Sequence, residues 1–265
     1  MSAYAPRVLA QTEPLGYSDS EEGAEERELE TDRDAFTPAT STVGQRLTIV
    51  ESSYSFIDNR SVAETHSFPE LLVRYGISER IELRLGWNYE VGGAGDVVSG
   101  NDGGEEFEGG IERESQMLYG FKAAVSEQQG WKPRSAAILQ GYTPTSGKAP
   151  ATDVVATYAF GWELPNTWRL DASMRYGTEH GPRDAFNEWA PSVVLRVPLT
   201  ERWNVHAEYF GLYSQGSERD FGRGFFSPGT HFLLTKNLEL GVRLGWGISH
   251  DAPPFFSNVG IGWRF

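Results

Sequence analysis

From Val43 to Phe265 apolar and polar residues alternate with a period of two, and helical periodicity is almost absent. Ile81, Leu83, Leu85, Trp87, Tyr89 and Val91 interleave with Glu82, Arg84, Gly86, Asn88 and Glu90. Leu238, Leu240, Val242, Leu244, Trp246 and Ile248 repeat the pattern, as do Trp168, Leu170, Ala172, Met174 and Tyr176. The alternation predicts twelve strands, near 43–57, 64–75, 79–91, 111–125, 134–143, 152–163, 167–178, 188–198, 201–213, 226–235, 237–248 and 255–265. Ten to twelve residues at about 3.3 Å each, tilted by about 40°, cross the roughly 25 Å apolar band of an outer membrane.

The connections alternate in length. Short turns are expected at Gly76–Ser78, Leu164–Asn166, Leu199–Thr200 and Lys236, with a somewhat longer one around Gln128–Pro133. Longer polar segments fall at 58–63, 92–110, 144–151, 179–187, 214–225 and 249–254. Short periplasmic turns, longer outer loops and an even strand number belong to outer-membrane barrels. Trp and Tyr near strand ends fit interfacial girdles, where the ring is in lipid and its polar tip stays wet. A soluble sandwich or lipocalin-like barrel would place the same residues in a core, but the loop asymmetry and strand number favour the membrane. The expected fold is all-β, a closed antiparallel up-and-down transmembrane barrel spanning 41–265.

Composition changes this picture little, and charge changes it at one place. No run approaches the roughly 18 apolar residues of a spanning helix. Cysteine is absent, which removes disulfides and thiolate metal sites. The net charge of −14 argues against nucleic acid. Ten acidic residues stand between Glu13 and Asp34 against Arg27 and Arg33. Residues 1–40 therefore read as a signal remnant and a flexible, acidic periplasmic arm. The opening MSAYAPRVLAQTEP shows only the end of a secretory signal, Val8-Leu9-Ala10, so a start further upstream is expected.

Three stretches resemble the bacterial outer-membrane family named for a MetA pathway of phenol degradation. They are Leu29–Thr37 (LETDRDAFT), residues 67–87 (SFPELLVRYGISERIELRLGW) and residues 237–265, which end on an aromatic. Gly147, following Tyr142-Thr143-Pro144-Thr145-Ser146, is similar to that family's mid-chain loop opening. The acidic EEFEGGIERES departs from the family pattern. The resemblance implies an outer-membrane barrel with a transporter-like role and leaves the solute open.

Parity of the strands directs charged residues into the lumen. The lumen-lining candidates are Arg74, Glu82, Arg84, Lys122, Arg169, Asp171, Arg175, Arg196, Glu208, Glu239, Arg243 and Arg264. Glu70, Glu90, Glu163 and Arg202 are assigned inward by the same rule. Unpaired charge inside a barrel is costly, so cross-strand ion pairs are expected. Two readings stay open, a narrow polar pore and a salt-bridged interior without conduction.

His66, His180, His206, His231 and His250 are dispersed, so no metal site and no cofactor are expected. His206 and Glu208 share a face, a weak acid/base pair at most. Ser214, Ser227 and Ser249 sit near outer strand ends without a nucleophile motif, so an enzyme is not expected. The acidic loop at Asp96, Asp102, Glu105, Glu106 and Glu108 lacks the spacing of an EF-hand. Gly92, Gly93 and Gly95 precede no helix and so make no phosphate cradle.

The sequence thus points to an integral protein of a bacterial outer membrane that transports small organic, including aromatic, solutes. The alternatives are a non-conducting structural or loop-binding barrel and, third, an outer-membrane hydrolase. Expected partners are outer-membrane lipid, the solute and the barrel assembly machinery, which would read Trp263 and Phe265 as its signal. No nucleic-acid partner is expected.

Overall fold

A computed structural model describes residues 29–60, 62–93, 111–147, 149, 151–180, 185–217 and 220–265. The expected acidic loop from Asp96 to Glu108 lies outside them, as does the arm up to residue 28. The strands are β1 (Thr48–Asp58), β2 (Thr65–Ser78), β3 (Ile81–Gly92), β4 (Glu112–Ser126), β5 (Arg134–Ser146) and β6 (Asp153–Glu163), followed by β7 (Arg169–His180), β8 (Ala185–Pro198), β9 (Trp203–Gln215), β10 (Gly222–Thr235), β11 (Leu238–Gly247) and β12 (Phe255–Arg264). A 3-10 turn, Pro165–Thr167, joins β6 to β7.

Each strand pairs with its sequence neighbours, and β1 pairs with β12, which closes the barrel. Closure removes both sheet edges, the condition for strands to lie in hydrocarbon. At the seam Thr48 and Phe265 exchange two backbone hydrogen bonds, of 3.2 and 2.8 Å. No helix among the described residues is long and apolar enough to cross a membrane.

The outward positions are apolar and the inward ones mostly polar. Leu83, Leu85, Val242, Leu244, Ile261 and Trp263 are exposed, whereas Glu82, Arg84, Arg243 and Arg264 are buried. Val259 and Phe265 also face out, as alternation required. An exterior of this kind is stable only against lipid, and the chain spans the outer membrane with its strands. The two chain ends of the barrel lie on the side of the short turns.

The first strand begins five residues later than the alternation suggested. Gly44 (φ 89°) and Arg46 (φ 63°) form a left-handed turn before it. This turn crosses over Gly76 of β2, where a Cβ would sit 1.7 Å from the Gly44 carbonyl oxygen. Arg46 N–H donates to the Gly76 carbonyl at 2.8 Å. Only a glycine at 76 lets the two backbones approach so closely.

Candidate functional site

The barrel lumen is filled by the chain's own N-terminal segment. Residues 29–43 enter from the short-turn end, turn deep inside and return to that end before β1. The two ends of the segment meet there, where Leu29 and Val43 pack with Ile49 and Leu233. At the apex Phe36 joins Ile57, Phe210, Leu212, Phe225 and Phe256 in an apolar cluster. This corrects the arm expected at 1–40. Its residues 29–40 lie in the lumen, and Leu29, Thr31 and Ala35 through Thr40 are buried.

An irregular segment must find acceptors for its backbone N–H groups away from water. Wall carboxylates supply them. Glu51 Oε2 accepts from the N–H groups of Asp32 and Arg33, at 2.8 and 3.0 Å. Glu208 accepts from Phe36 N–H at 2.9 Å and from Thr37 N–H at 2.7 Å. Glu82 takes the Val43 N–H at 2.9 Å, and Glu239 takes the Thr31 hydroxyl at 2.7 Å.

Two ionic clusters fix the segment's own charges. Asp32 lies 2.9 Å from Lys122 and 3.7 Å from Arg74, and Arg84 donates to it as well. Arg74 also forks onto Glu82 at 2.9 and 3.0 Å and reaches Glu51 at 3.1 Å. These groups are almost wholly buried, a state tolerable only because each charge is paired and hydrogen-bonded. Asp34 meets His231 at 3.3 Å and Arg196 at 3.8 Å. Arg196 in turn holds Asp171 at 2.8 Å, and Arg243 holds Glu208 at 3.2 Å.

All twelve lumen candidates project inward, and most of them grip the segment. Arg169 contacts Glu30, and Arg175 lies over the Phe36 ring at 4.3 Å. Asp171 acts through Arg196. Arg264 instead binds Asn237 Oδ1 and the Lys236 carbonyl at the mouth. Glu70 is also buried inward, and Glu90 is half-buried. Arg202 is a correction, since it is exposed in the turn before β9, whereas Glu163, the last residue of β6, is exposed at the rim and lines the cavity at the short-turn end. Strand parity does not extend past the last ladder pair.

Glu51 was missed because β1 is mixed on both faces. Ile49 and Ile57 point inward beside Glu51, Ser53 and Ser55, so hydrophobicity does not mark its sides. The inward apolar residues Phe210, Phe225 and Phe256 were missed for the same reason, with Leu72, Leu118, Tyr142 and Val155 opposite them.

Space remains in the interior around the segment. A cavity of about 650 Å³ at the short-turn end is lined by Glu30, Ser41, Glu79, Arg134, Arg169 and Arg264 among others. A smaller space flanks the segment from Asp32 to Pro38 and is lined on the wall side by Leu118, Tyr142, Gln140, Arg84 and Arg175 among others.

His206 and His231 lie inside near Asp34, whereas His66, His180 and His250 are elsewhere and half-buried or exposed. Glu208 is taken up by the segment and Arg243, so it is not an acid/base partner of His206. Ser227 Oγ donates to the Leu244 carbonyl, and Ser249 Oγ to that of Gly222. Ser214 Oγ accepts from the Phe221 N–H.

A closed barrel of twelve strands, apolar outside and filled with paired charge inside, defines an integral outer-membrane protein of a porin-like class. The family described as "Putative MetA-pathway of phenol degradation" matches residues 31–265, and the chain belongs to it. The match begins within the lumen segment and takes in its residues 31–43. The fold is similar to that of an outer membrane channel from Pseudomonas putida F1, at 11% identity and a TM-score of 0.63. That likeness covers 85% of this chain and 98% of the channel. The NanC porin is similar at 8% identity and a TM-score of 0.55, covering 82% of this chain and 100% of the porin. No protein of curated function matches the chain in sequence.

Proposed function

We propose that the protein is an outer-membrane channel for small organic solutes, aromatic ones included, and that residues 29–43 are its plug. The observation carrying this reading is how the segment is held. No ladder pairing among the described residues involves 29–43, which contact the wall through side chains and side-chain-to-backbone bonds. The segment can therefore leave without breaking a strand pair, and its departure would open the part of the lumen it fills.

The lining supports the solute class. Inward aromatic and aliphatic residues share the lumen with guanidinium groups, and such a surface favours a flat apolar body bearing an anionic or polar end. A cavity of about 650 Å³ is the size of a small-molecule pocket. A second reading, a barrel that does not conduct, draws on the same filled lumen. We read the protein as non-enzymatic, because Ser214, Ser227 and Ser249 bond to backbone groups and no histidine bonds to them among the described residues. Assembly would proceed through the barrel assembly machinery, with Trp263 and Phe265 presented at the seam.

Liposomes carrying the full chain test the solute. Benzoate-sized aromatic acids should enter faster than into empty vesicles, and faster than a neutral disaccharide. Equal rates for vesicles with and without the protein would support the non-conducting reading.

A further inference from the structure

We propose that Asp34, His206 and His231 form a binding site for one divalent transition-metal ion, with Zn²⁺ the best fit, that staples the inserted segment to the barrel wall. One ligand atom of each residue lies within 4.8 Å of the others. His206 of β9 and His231 of β10 project inward from paired strands, with ring centroids 6.3 Å apart. Asp34 reaches them from the segment, its Oδ2 3.3 Å from His231 Nδ1.

His206 is the independent evidence. It is 4% exposed, and neither of its ring nitrogens has a hydrogen-bond partner. A buried imidazole with both nitrogens bare loses hydration without compensation. An ion bound at one nitrogen would supply it. The wall is shaped for this ring, since a Cβ at the facing Gly229 would sit 2.4 Å from His206 Cε1 and Nε2.

Two imidazoles and a carboxylate are a common Zn²⁺ donor set, leaving the fourth position for water. Bonds of about 2.0–2.1 Å would hold tetrahedral ligands roughly 3.4 Å apart, so the triad must close by up to about 1.4 Å. Asp34 can move that far because its backbone is irregular and unpaired in any ladder. The neighbouring cations do not fill the site. Arg196 lies 3.8 Å from Asp34 Oδ1 but is held more closely by Asp171 at 2.8 Å, and Arg243 is held by Glu208 at 3.2 Å.

An ion bound there joins β9 and β10 to the segment, and so recognises only the inserted state. At a free concentration a hundredfold above Kd it would favour insertion roughly a hundredfold. The site does not depend on the channel reading, and binding is measured without any permeation assay.

Co²⁺ titrated into the chelator-treated, folded full chain in detergent is the probe. The chain has no cysteine, so thiolate bands cannot interfere. A visible band saturating at one equivalent and displaced by Zn²⁺ is expected. His206→Gln and Asp34→Asn should weaken binding at least tenfold, with folding checked by heat-modifiable gel mobility. Asp34 lies outside the wall, so its variant keeps the test open should the histidine variant not fold. His250→Ala, on an exposed side chain, should bind as wild type. A single thiol at Thr42→Cys should react with maleimide at least tenfold more slowly in Zn²⁺. Absence of a Co²⁺ band, a band unchanged in both site variants, or labelling indifferent to Zn²⁺ would overturn the proposal.

Discussion

Asp32 and Lys122 stand 90 residues apart in sequence, and 2.9 Å separates carboxylate from ammonium inside the barrel. Arg74 and Arg84 bring two further cations to the same carboxylate. Asp32→Ala would leave three buried cations facing only Glu82 and Glu51. Removing one partner from a buried ionic cluster costs on the order of 3–5 kcal/mol, less where water enters. The loss should fall on insertion of the segment and not on the barrel ladder. A thiol at Thr42→Cys should then label at least a hundredfold faster, with heat-modifiable mobility unchanged. Slow labelling would show that the cluster does not hold the segment.

Phe36 anchors the apex. Its ring stacks on Phe210 at 4.4 Å and 5°, with Arg175 over it at 4.3 Å. Phe36→Ala should cost about 3–5 kcal/mol of insertion, the usual penalty for deleting a buried aromatic ring. Phe36→Leu should retain most of it. Thiol labelling of the two variants should rank them in that order.

The two faces of β12 should respond differently to the same side chain. Ile261→Arg places charge against lipid, at a cost of about 2–4 kcal/mol near mid-membrane. It should reduce the fraction of folded barrel. Gly262→Arg meets the segment instead, because a Cβ there would already lie 2.3 Å from Thr31 Cγ2. That variant should fold as a barrel and release the segment. Alternation turns Gly262 inward, and Thr31 is what a side chain there meets.

Deletion of Phe265 removes the two backbone bonds with Thr48 that close the seam at the short-turn end, and the contact of its ring with Trp263 at 4.5 Å. Folding yield in lipid should fall, while the strands that do close keep their pattern. Folding at the wild-type yield would remove Phe265 from the assembly role.

The strands were legible because each needs only its own alternation. Eleven of them begin within four residues of the expected positions, and the exception is β1, displaced by the left-handed turn at Gly44 and Arg46. The lumen segment was not legible. Its stretch LETDRDAFTPATSTV has no periodicity, and its acidic residues read as solvated. Its partners are scattered, with Glu51, Lys122, Glu208 and Glu239 brought together only by barrel closure. The His206–His231 approach was hidden in the same way. The two are 25 positions apart in sequence and meet only through the β9–β10 register.

Single-channel recording in planar bilayers tests most directly whether residues 29–43 are a plug, comparing the full chain with a variant lacking residues 29–42. The account predicts rare or small openings for the full chain and a larger, steady conductance for the deletion, with both barrels folded by gel mobility. A folded deletion variant that leaves the bilayer sealed at every voltage would contradict it.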